Sequence, residues 1–193
     1  MGFDGHACST QRMPTVLAIL AEGFEEIEAT TPIDLLRRAG AEVTVAALGE
    51  GIHVTGRSSL TMHADTTLAA VLSGARPFDV LFLPGGPGVS RLRADPRIRP
   101  LVLQHHASGR WIAAICAAPL VLHDAGILVG RRFTAHPSVA TELAGLLAGE
   151  RVVVDGRLIT SRGAGTALDF GLALVEALYS VEKAKGIAAS VCA

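Results

Sequence analysis

Hydrophobic residues in this chain fall into continuous runs bounded by turn residues. Five such runs cover residues 15–20, 42–48, 79–83, 111–116 and 158–160. Continuous apolar runs of this length are typical of strands that are buried on both faces. Stretches with helical spacing lie between or after them, at residues 25–39, 66–73, 99–106, 118–124 and 166–179. This alternation predicts an α/β fold with a doubly wound, mostly parallel sheet sandwiched by helices, and ligands at the carboxyl ends of the strands.

Three segments depart from the alternation. Residues 52–63 are polar and alternating, which predicts a short hairpin appended to the sheet. Residues 1–13 show no periodicity and end at a second methionine, so we expect a loose leader or an alternative start there, followed by a single domain over 14–185 and a tail over 186–193. Pro32 lies inside the first helical pattern and predicts a kink, because an internal proline removes a backbone hydrogen bond.

Composition excludes several classes of protein. Among 193 residues, 50% are hydrophobic and 18% are charged, which argues against intrinsic disorder. The formal net charge of -1 provides no field that would attract nucleic acid or an acidic membrane. The three cysteines form no C-x-x-C pair and no zinc-type cluster, so we expect neither a disulfide framework nor a metal. The sequence shows no signal peptide or membrane span, which predicts a cytoplasmic location.

Cys116 lies where a buried strand meets a predicted helix. Backbone N–H groups and the dipole at a helix N-terminus favour a thiolate, so this position predicts a lowered pKa for the thiol. Small neighbours, Ala114, Ala117 and Ala118, permit the sharp turn of a nucleophile elbow. The alternative is a buried structural cysteine, since free cysteines are often simply buried.

An acidic run, residues 22–28, follows the first strand and enters the first helix. Glu22, Glu25 and Glu26 are expected to be surface charges that interact favourably with the helix dipole. Glu28 shares a helical face with apolar residues four positions before and seven after it, so it should point inward. A buried carboxyl group has a raised pKa and can donate a hydrogen bond to a thiolate or a reacting oxygen.

Two further features lie at strand ends. The glycine-rich segment 83–88 could present backbone N–H groups as an oxyanion hole or a phosphate cradle, but neither common phosphate-binding motif is present. His136 follows a predicted short strand and is either a structural histidine or a base. His105 and His106 are expected on a solvated helix surface.

Together, the motifs at residues 25–28, 83–86, 113–119, 135–137 and 159–170 resemble the DJ-1/ThiJ/PfpI superfamily. The resemblance covers about residues 14 to 185. Within the superfamily, the sequence is most similar to the branch of Parkinson-disease-protein-like and YajL-like deglycases. It implies a flavodoxin-like sandwich and a homodimer. It also implies that Cys116 is the nucleophile, that Glu28 is the acid hydrogen-bonded to the sulfur, and that His136 lies nearby.

The resemblance also assigns residues around the nucleophile. It implies that backbone N–H groups at Gly86 and Ala117 form the oxyanion site, with Gly85 beside them. Arg38 falls where the superfamily keeps an arginine near the dimer interface and the pocket. Ala117 replaces the histidine that follows the nucleophile in peptidase-like relatives, which disfavours a protease. No His-x-Glu follows His136, which disfavours a glutamine amidotransferase.

Position 164 is alanine where relatives commonly have proline, and residues 52–63 lack the cysteines of human-type members, so redox chemistry must depend on Cys116. The leading hypothesis is a cofactor-independent enzyme that converts 2-oxoaldehydes such as methylglyoxal, free or as early glycation adducts, into hydroxyacids. The alternative is a non-enzymatic oxidative-stress sensor or chaperone in which Cys116 becomes a sulfinate. A third is a catalytically silent structural member.

Overall fold

A seven-stranded sheet forms the centre of the structure, a computed structural model that describes residues 12–74 and 76–193. In chain order the strands are β1 (Thr15–Leu20), β2 (Glu42–Ala47), β3 (His53–Thr55), β4 (Thr61–His63), β5 (Thr66–Thr67), β6 (Val80–Leu83), β7 (Trp111–Ile115), β8 (Val152–Asp155) and β9 (Leu158–Ser161). The sheet order is β5-β2-β1-β6-β7-β9-β8, and only β8 runs antiparallel to its neighbour. The predicted mostly parallel, flavodoxin-like sheet is confirmed.

Helices cover both faces of this sheet. They are α1 (Glu26–Ala39), α2 (Leu68–Ser73), α3 (Val89–Ala94), α4 (Ile98–Ala107), α5 (Pro119–Asp124), α6 (Ala167–Leu178) and α7 (Val181–Ser190), with 3₁₀ turns at Pro137–Val139 and Ala164–Thr166. Helices α1, α6 and α7 share one apolar core, and α2 to α5 share the other. Alternate residues of β1 enter opposite cores, which explains why all six of its residues are buried.

The first helix is fixed at both ends. The Glu25 side chain caps its N-terminus, and Gly40 ends it with a left-handed backbone, φ 96°. Helix α1 continues through Pro32 and packs on α6, where a Cβ at Gly171 would lie only 3.1 Å from Pro32 Cα. Glycine at 171 therefore permits the close approach of the two helices, while the kink expected at Pro32 stays a prediction.

The predicted hairpin is present as β3 and β4, which form a separate antiparallel pair. The sequence patterns missed α3, β8 and α7. Helix α7 corrects the expected tail at 186–193, because it continues to Ser190 and buries Ile187 in the core. Residues 1–11 of the expected leader lie outside the described residues. No helix in the described part of the chain is long and apolar enough to cross a membrane.

Three polar residues that were expected on the surface are buried in the structure. Glu25 and Glu26 are buried rather than exposed, whereas Glu22 lies on the surface as expected. Glu26 accepts a hydrogen bond from the Ser58 backbone and so ties the hairpin to α1 (2.7 Å). His105 is also buried, and burial lowers its pKa to about 4. Buried carboxylates are tolerated where backbone N–H groups satisfy them, which periodicity alone does not reveal.

Candidate active site

Cys116 occupies a strained turn directly after β7. Its φ of 65° places a non-glycine residue in the left-handed region, which costs energy and is typical of functional turns. Backbone hydrogen bonds hold the turn: the Cys116 N–H donates to the Ser161 carbonyl (2.9 Å), and the Cys116 carbonyl accepts from the His136 N–H (2.8 Å). Helix α5 begins three residues later with Pro119. The geometry is therefore that of a nucleophile elbow.

Glu28 lies beneath this cysteine and is only 1% exposed. Its Oε2 accepts a hydrogen bond from the Gly85 N–H (3.1 Å), and the carboxyl group lies close enough to the Cys116 side chain and the Ala164 N–H for both to lower its pKa. Burial is the main cause that raises the pKa of Glu28 to about 7, and the charge of Glu25 adds to it. The inward position predicted for Glu28 is confirmed.

The Cys116 thiol differs from the sequence prediction of a lowered pKa. Burial, together with the adjacent Glu28 carboxylate, raises the pKa of Cys116 to about 12, although N–H groups of Gly86 and Ala117 act in the opposite direction. Desolvation and like charge outweigh the two N–H donors. The Glu28 carboxylate raises the pKa of Cys116, whereas the Cys116 thiol acts to lower the pKa of Glu28, so the two groups titrate as a coupled pair that holds a single proton after the first is lost.

The segment after β6 brings its backbone against these side chains. A Cβ at Gly85 would lie 2.5 Å from the Cys116 Cβ, 2.9 Å from the Ile115 carbonyl oxygen, and in contact with Glu28 Oε2. Gly86 has a left-handed backbone, φ 92°, and a Cβ there would lie 2.6 Å from the Glu25 N. Both positions therefore require glycine. The close approach places backbone N–H donors at the carboxyl group and the sulfur.

His136 lies beside the pair. A Cβ atom added to Gly163 would lie 3.4 Å from His136 Cδ2, 3.5 Å from Glu28 Oε1 and 4.0 Å from Cys116 Sγ. The His136 Nδ1 is hydrogen-bonded to the Ser138 hydroxyl (2.8 Å) and accepts from the Ser138 N–H (3.2 Å). Glycine at position 163 thus leaves open a small space that these three side chains border.

A buried network that the sequence analysis missed supports this space. The Ser161 and Thr166 hydroxyls lie 2.6 Å apart, and Thr166 Oγ1 accepts from the Gly163 N–H (3.1 Å). These bonds shape the turn that carries Ala164, whose N–H reaches Glu28. The only sequence signal was the small-residue motif at 163–166, which does not reveal hydroxyl pairing.

Glu25 is the second feature that was missed. Its Oε2 accepts a hydrogen bond from the Glu28 N–H (2.8 Å), so the buried cap fixes the first turn of α1 that bears the acid. The sequence does contain a signal for this cap, because Glu25 is a possible capping residue three positions before the acid Glu28.

Arg38 does not join the site in this chain. It is exposed on α1 and ion-paired with Asp34 (2.6 Å), ten residues or about 15 Å along the helix from Glu28. Within residues 12–74 and 76–193, no three histidine, cysteine, aspartate or glutamate side chains lie close enough together to hold a metal ion.

Comparison with known proteins identifies the family of this chain. The profile of the DJ-1/PfpI family matches residues 14–177. The chain belongs to the DJ-1/PfpI family. The Drosophila melanogaster protein dj-1beta is 42% identical over 178 residues, covering 90% of this chain and 94% of the relative.

Two further DJ-1/PfpI relatives are informative. A Caenorhabditis elegans protein named glutathione-independent glyoxalase DJR-1.2 is 37% identical, covering 89% of this chain and 91% of the relative. The structure of Toxoplasma gondii DJ-1, described as oxidized, superposes with a TM-score of 0.88 at 38% identity and covers 93% of this chain and 98% of that one. The fold is therefore shared with the DJ-1 proteins, and the family includes a protein named as a glyoxalase.

Proposed function

We propose that the protein is a cofactor-independent cysteine enzyme that converts 2-oxoaldehydes such as methylglyoxal, or their early glycation adducts, into hydroxyacids. The observation that carries this proposal is a buried carboxyl group beside a cysteine side chain at a strained elbow, with the backbone of Gly85 packed against both. The relative named glutathione-independent glyoxalase supports the same class of chemistry.

The first step is addition of the sulfur to the aldehyde. The form of the pair that has one proton can place that proton on Glu28, which leaves a thiolate at Cys116 stabilised by the N–H groups of Gly86 and Ala117. The thiolate attacks the aldehyde carbon, a carbon–sulfur bond forms, and the aldehyde oxygen becomes an oxyanion. The two N–H groups then stabilise the oxyanion, and Glu28 donates its proton to it, which gives a hemithioacetal and leaves Glu28 as a carboxylate.

The second step is an internal redox rearrangement that Glu28 catalyses. Its carboxylate removes the proton from the former aldehyde carbon and returns it to the neighbouring carbon, while the hydroxyl proton of the hemithioacetal passes to the oxygen of the neighbouring carbonyl. The first carbon is thereby oxidised to a thioester and the second is reduced to an alcohol, so no external oxidant or reductant is consumed. Water then hydrolyses the thioester, which releases lactate and restores the Cys116 thiol. His136, at the edge of the space, is suited to assist the water.

A redox-sensor function is the second candidate. The structural relative from Toxoplasma gondii is described as oxidized, and the donors around Cys116 Sγ would also stabilise a sulfinate. Protonated Glu28 would donate to one sulfinate oxygen. The two functions differ in what Cys116 reacts with, so turnover of an aldehyde separates them.

The decisive test is lactate formation from methylglyoxal, with trace amines and buffer catalysis controlled. Cys116→Ala is expected to abolish turnover, because the nucleophile is removed. Glu28→Gln is expected to lower kcat by about a hundredfold or more, since an amide cannot shuttle the proton. Cys192→Ala, which removes an exposed cysteine outside the site, is the matched control and should retain the wild-type rate.

Lactate formation by Cys116→Ala at the wild-type rate would contradict the mechanism. Rapid gain of two oxygens at Cys116 under mild peroxide, with no aldehyde turnover by the wild-type protein, would favour the sensor. The homodimer, the cytoplasmic location and a role for Arg38 at a dimer interface stay predictions.

A further inference from the structure

A second cavity lies at the opposite end of the sheet from Cys116. It has a volume of about 260 Å³ and lies at the amino ends of β7 and β9. Three buried apolar side chains, Ile112, Ile127 and Leu158, line it. The four residue steps of β7 from Trp111 to Ile115 span about 13 Å, so this cavity is separate from the cysteine site.

Arginine side chains surround the apolar lining. Arg110, Arg131 and Arg157 contribute to the wall, together with His106. Asp155 is the carboxylate among the lining residues, and it accepts from the Arg132 N–H (2.9 Å) and lies 3.8 Å from the Arg131 guanidinium.

Two of the arginines lack a carboxylate partner. Within the described ranges, 12–74 and 76–193, neither Arg110 nor Arg157 has an acidic group at ion-pair distance. An adjacent cavity of about 330 Å³ shares both arginines, and the acid that lines it, Asp79, is paired with Arg12. The two cavities therefore meet around a pair of uncompensated cations in a chain whose formal net charge is -1.

Trp111 holds one of these cations in place. The Arg157 guanidinium lies over the Trp111 ring, 4.8 Å from its centroid. A stacked guanidinium keeps its N–H edge available for oxygen atoms of a ligand, and stacking reduces the side-chain entropy lost on binding. Planar guanidinium groups suit carboxylate and phosphate oxygens because two parallel hydrogen bonds can form.

We propose that this cavity binds a small organic anion, namely a phosphate or carboxylate group attached to a flat apolar body. Arg110 and Arg157 would bind the anionic group, and Ile112, Ile127 and Leu158 would contact the apolar body. The volume restricts the ligand to a compact molecule, since sites for drug-sized ligands begin near 300 Å³. The proposal does not depend on the aldehyde chemistry at Cys116.

The chain offers a direct reporter for this site. Trp111 is its only tryptophan; it lines the adjacent cavity and contacts Arg157, which both cavities share, so tryptophan-selective fluorescence reports on the junction of the two cavities. We would titrate the full chain with phenyl phosphate and measure the same titration by calorimetry, with benzoate, inorganic phosphate and benzyl alcohol in parallel. Phenyl phosphate or benzoate is expected to give a saturable change that weakens with added salt, whereas benzyl alcohol is expected to give none.

Substitutions define the binding residues. Arg110→Gln and Arg157→Gln should each weaken binding roughly tenfold, because each removes one charged hydrogen-bonding group. Arg91→Gln, an exposed arginine on α3, is the matched control and should bind like the wild type. Calorimetry is the primary measurement for Arg157→Gln, because that substitution also changes the surroundings of Trp111. Circular dichroism checks that each variant is folded.

Three results would overturn the proposal. The first is the absence of saturable binding of both phenyl phosphate and benzoate. The second is wild-type affinity in the Arg110→Gln/Arg157→Gln double variant. The third is an affinity for inorganic phosphate or benzyl alcohol equal to that for phenyl phosphate or benzoate. That result would show that the cavity does not require both an anionic group and an apolar body in its ligand.

Discussion

The two ends of β7 differ in the groups that surround them. At the carboxyl end, Cys116 and Glu28 are held by backbone N–H groups from three segments and are largely removed from water. At the amino end, long arginine side chains border a cavity with a buried apolar base, and Trp111 lines the cavity next to it. One strand thus connects a site formed by the backbone to a cavity bordered by side chains.

This difference shows what each end can tolerate. Groups that are fixed by backbone and burial cannot move to relieve a clash, so small changes there affect both stability and chemistry. Exposed arginines adjust readily, and their interactions contribute little to the free energy of folding. We therefore expect substitutions at the cysteine end to reduce the free energy of unfolding far more than comparable substitutions at the arginine end.

A large difference in stability is expected between two glycine substitutions. Gly85→Ala should destabilise the protein by about 3 kcal/mol, because its Cβ would overlap Cys116 Cβ and the Ile115 carbonyl oxygen. Gly109→Ala, at the arginine end, meets nothing within 4 Å and should cost only about 1 kcal/mol for its φ of 65°. Denaturant unfolding measures both. Equal losses would show that the cysteine end is less tightly packed than described.

A difference of similar size is expected in the pH dependence of stability. The folded-state pKa of Glu28 is raised to about 7 from 4.5, so the folded protein retains a proton that the unfolded chain loses. Stability associated with Glu28 is therefore fully present below pH 4.5 and is lost as the pH rises to about 7, by up to about 3 kcal/mol. Glu28→Gln should remove this decline, which urea unfolding across the pH range can measure.

Arg157→Gln provides the control at the other end. It should shift the free energy of unfolding by no more than about 0.5 kcal/mol and leave the decline between pH 4.5 and 7 intact. If the decline persists unchanged in Glu28→Gln, another group causes it and the buried acid is not the source.

The sequence predicted the scaffold well because its signals are periodic. Uninterrupted apolar runs identified every long parallel strand, and the phase of α1 correctly directed Glu28 inward. Strand β8 was missed although it contains three consecutive valines, 152–154, because it is short and half-exposed in the structure. The hairpin at 52–63 was identified because its polar alternation contrasts with the buried strands.

The electrostatics of the site were harder to predict. The expectation of a lowered pKa for Cys116 counted only the helix N-terminus, whereas burial and Glu28 dominate once the chain is folded. Glu25 and Glu26 were expected on the surface because composition does not show which backbone N–H groups they meet. The Arg157–Trp111 stack joins residues 46 positions apart in sequence, a pairing that no local pattern predicts.

The central claim is that Cys116 and Glu28 share one proton near neutral pH. The most direct test is the rate of alkylation of Cys116 by iodoacetamide across the pH range, with peptide-resolved mass spectrometry to separate this thiol from Cys8 and Cys192. We predict an inflection near pH 7 in the wild-type protein, where the pair loses its first proton, and its disappearance in Glu28→Gln. An inflection at the ordinary thiol value of about 8.5, identical in both proteins, would contradict the claim.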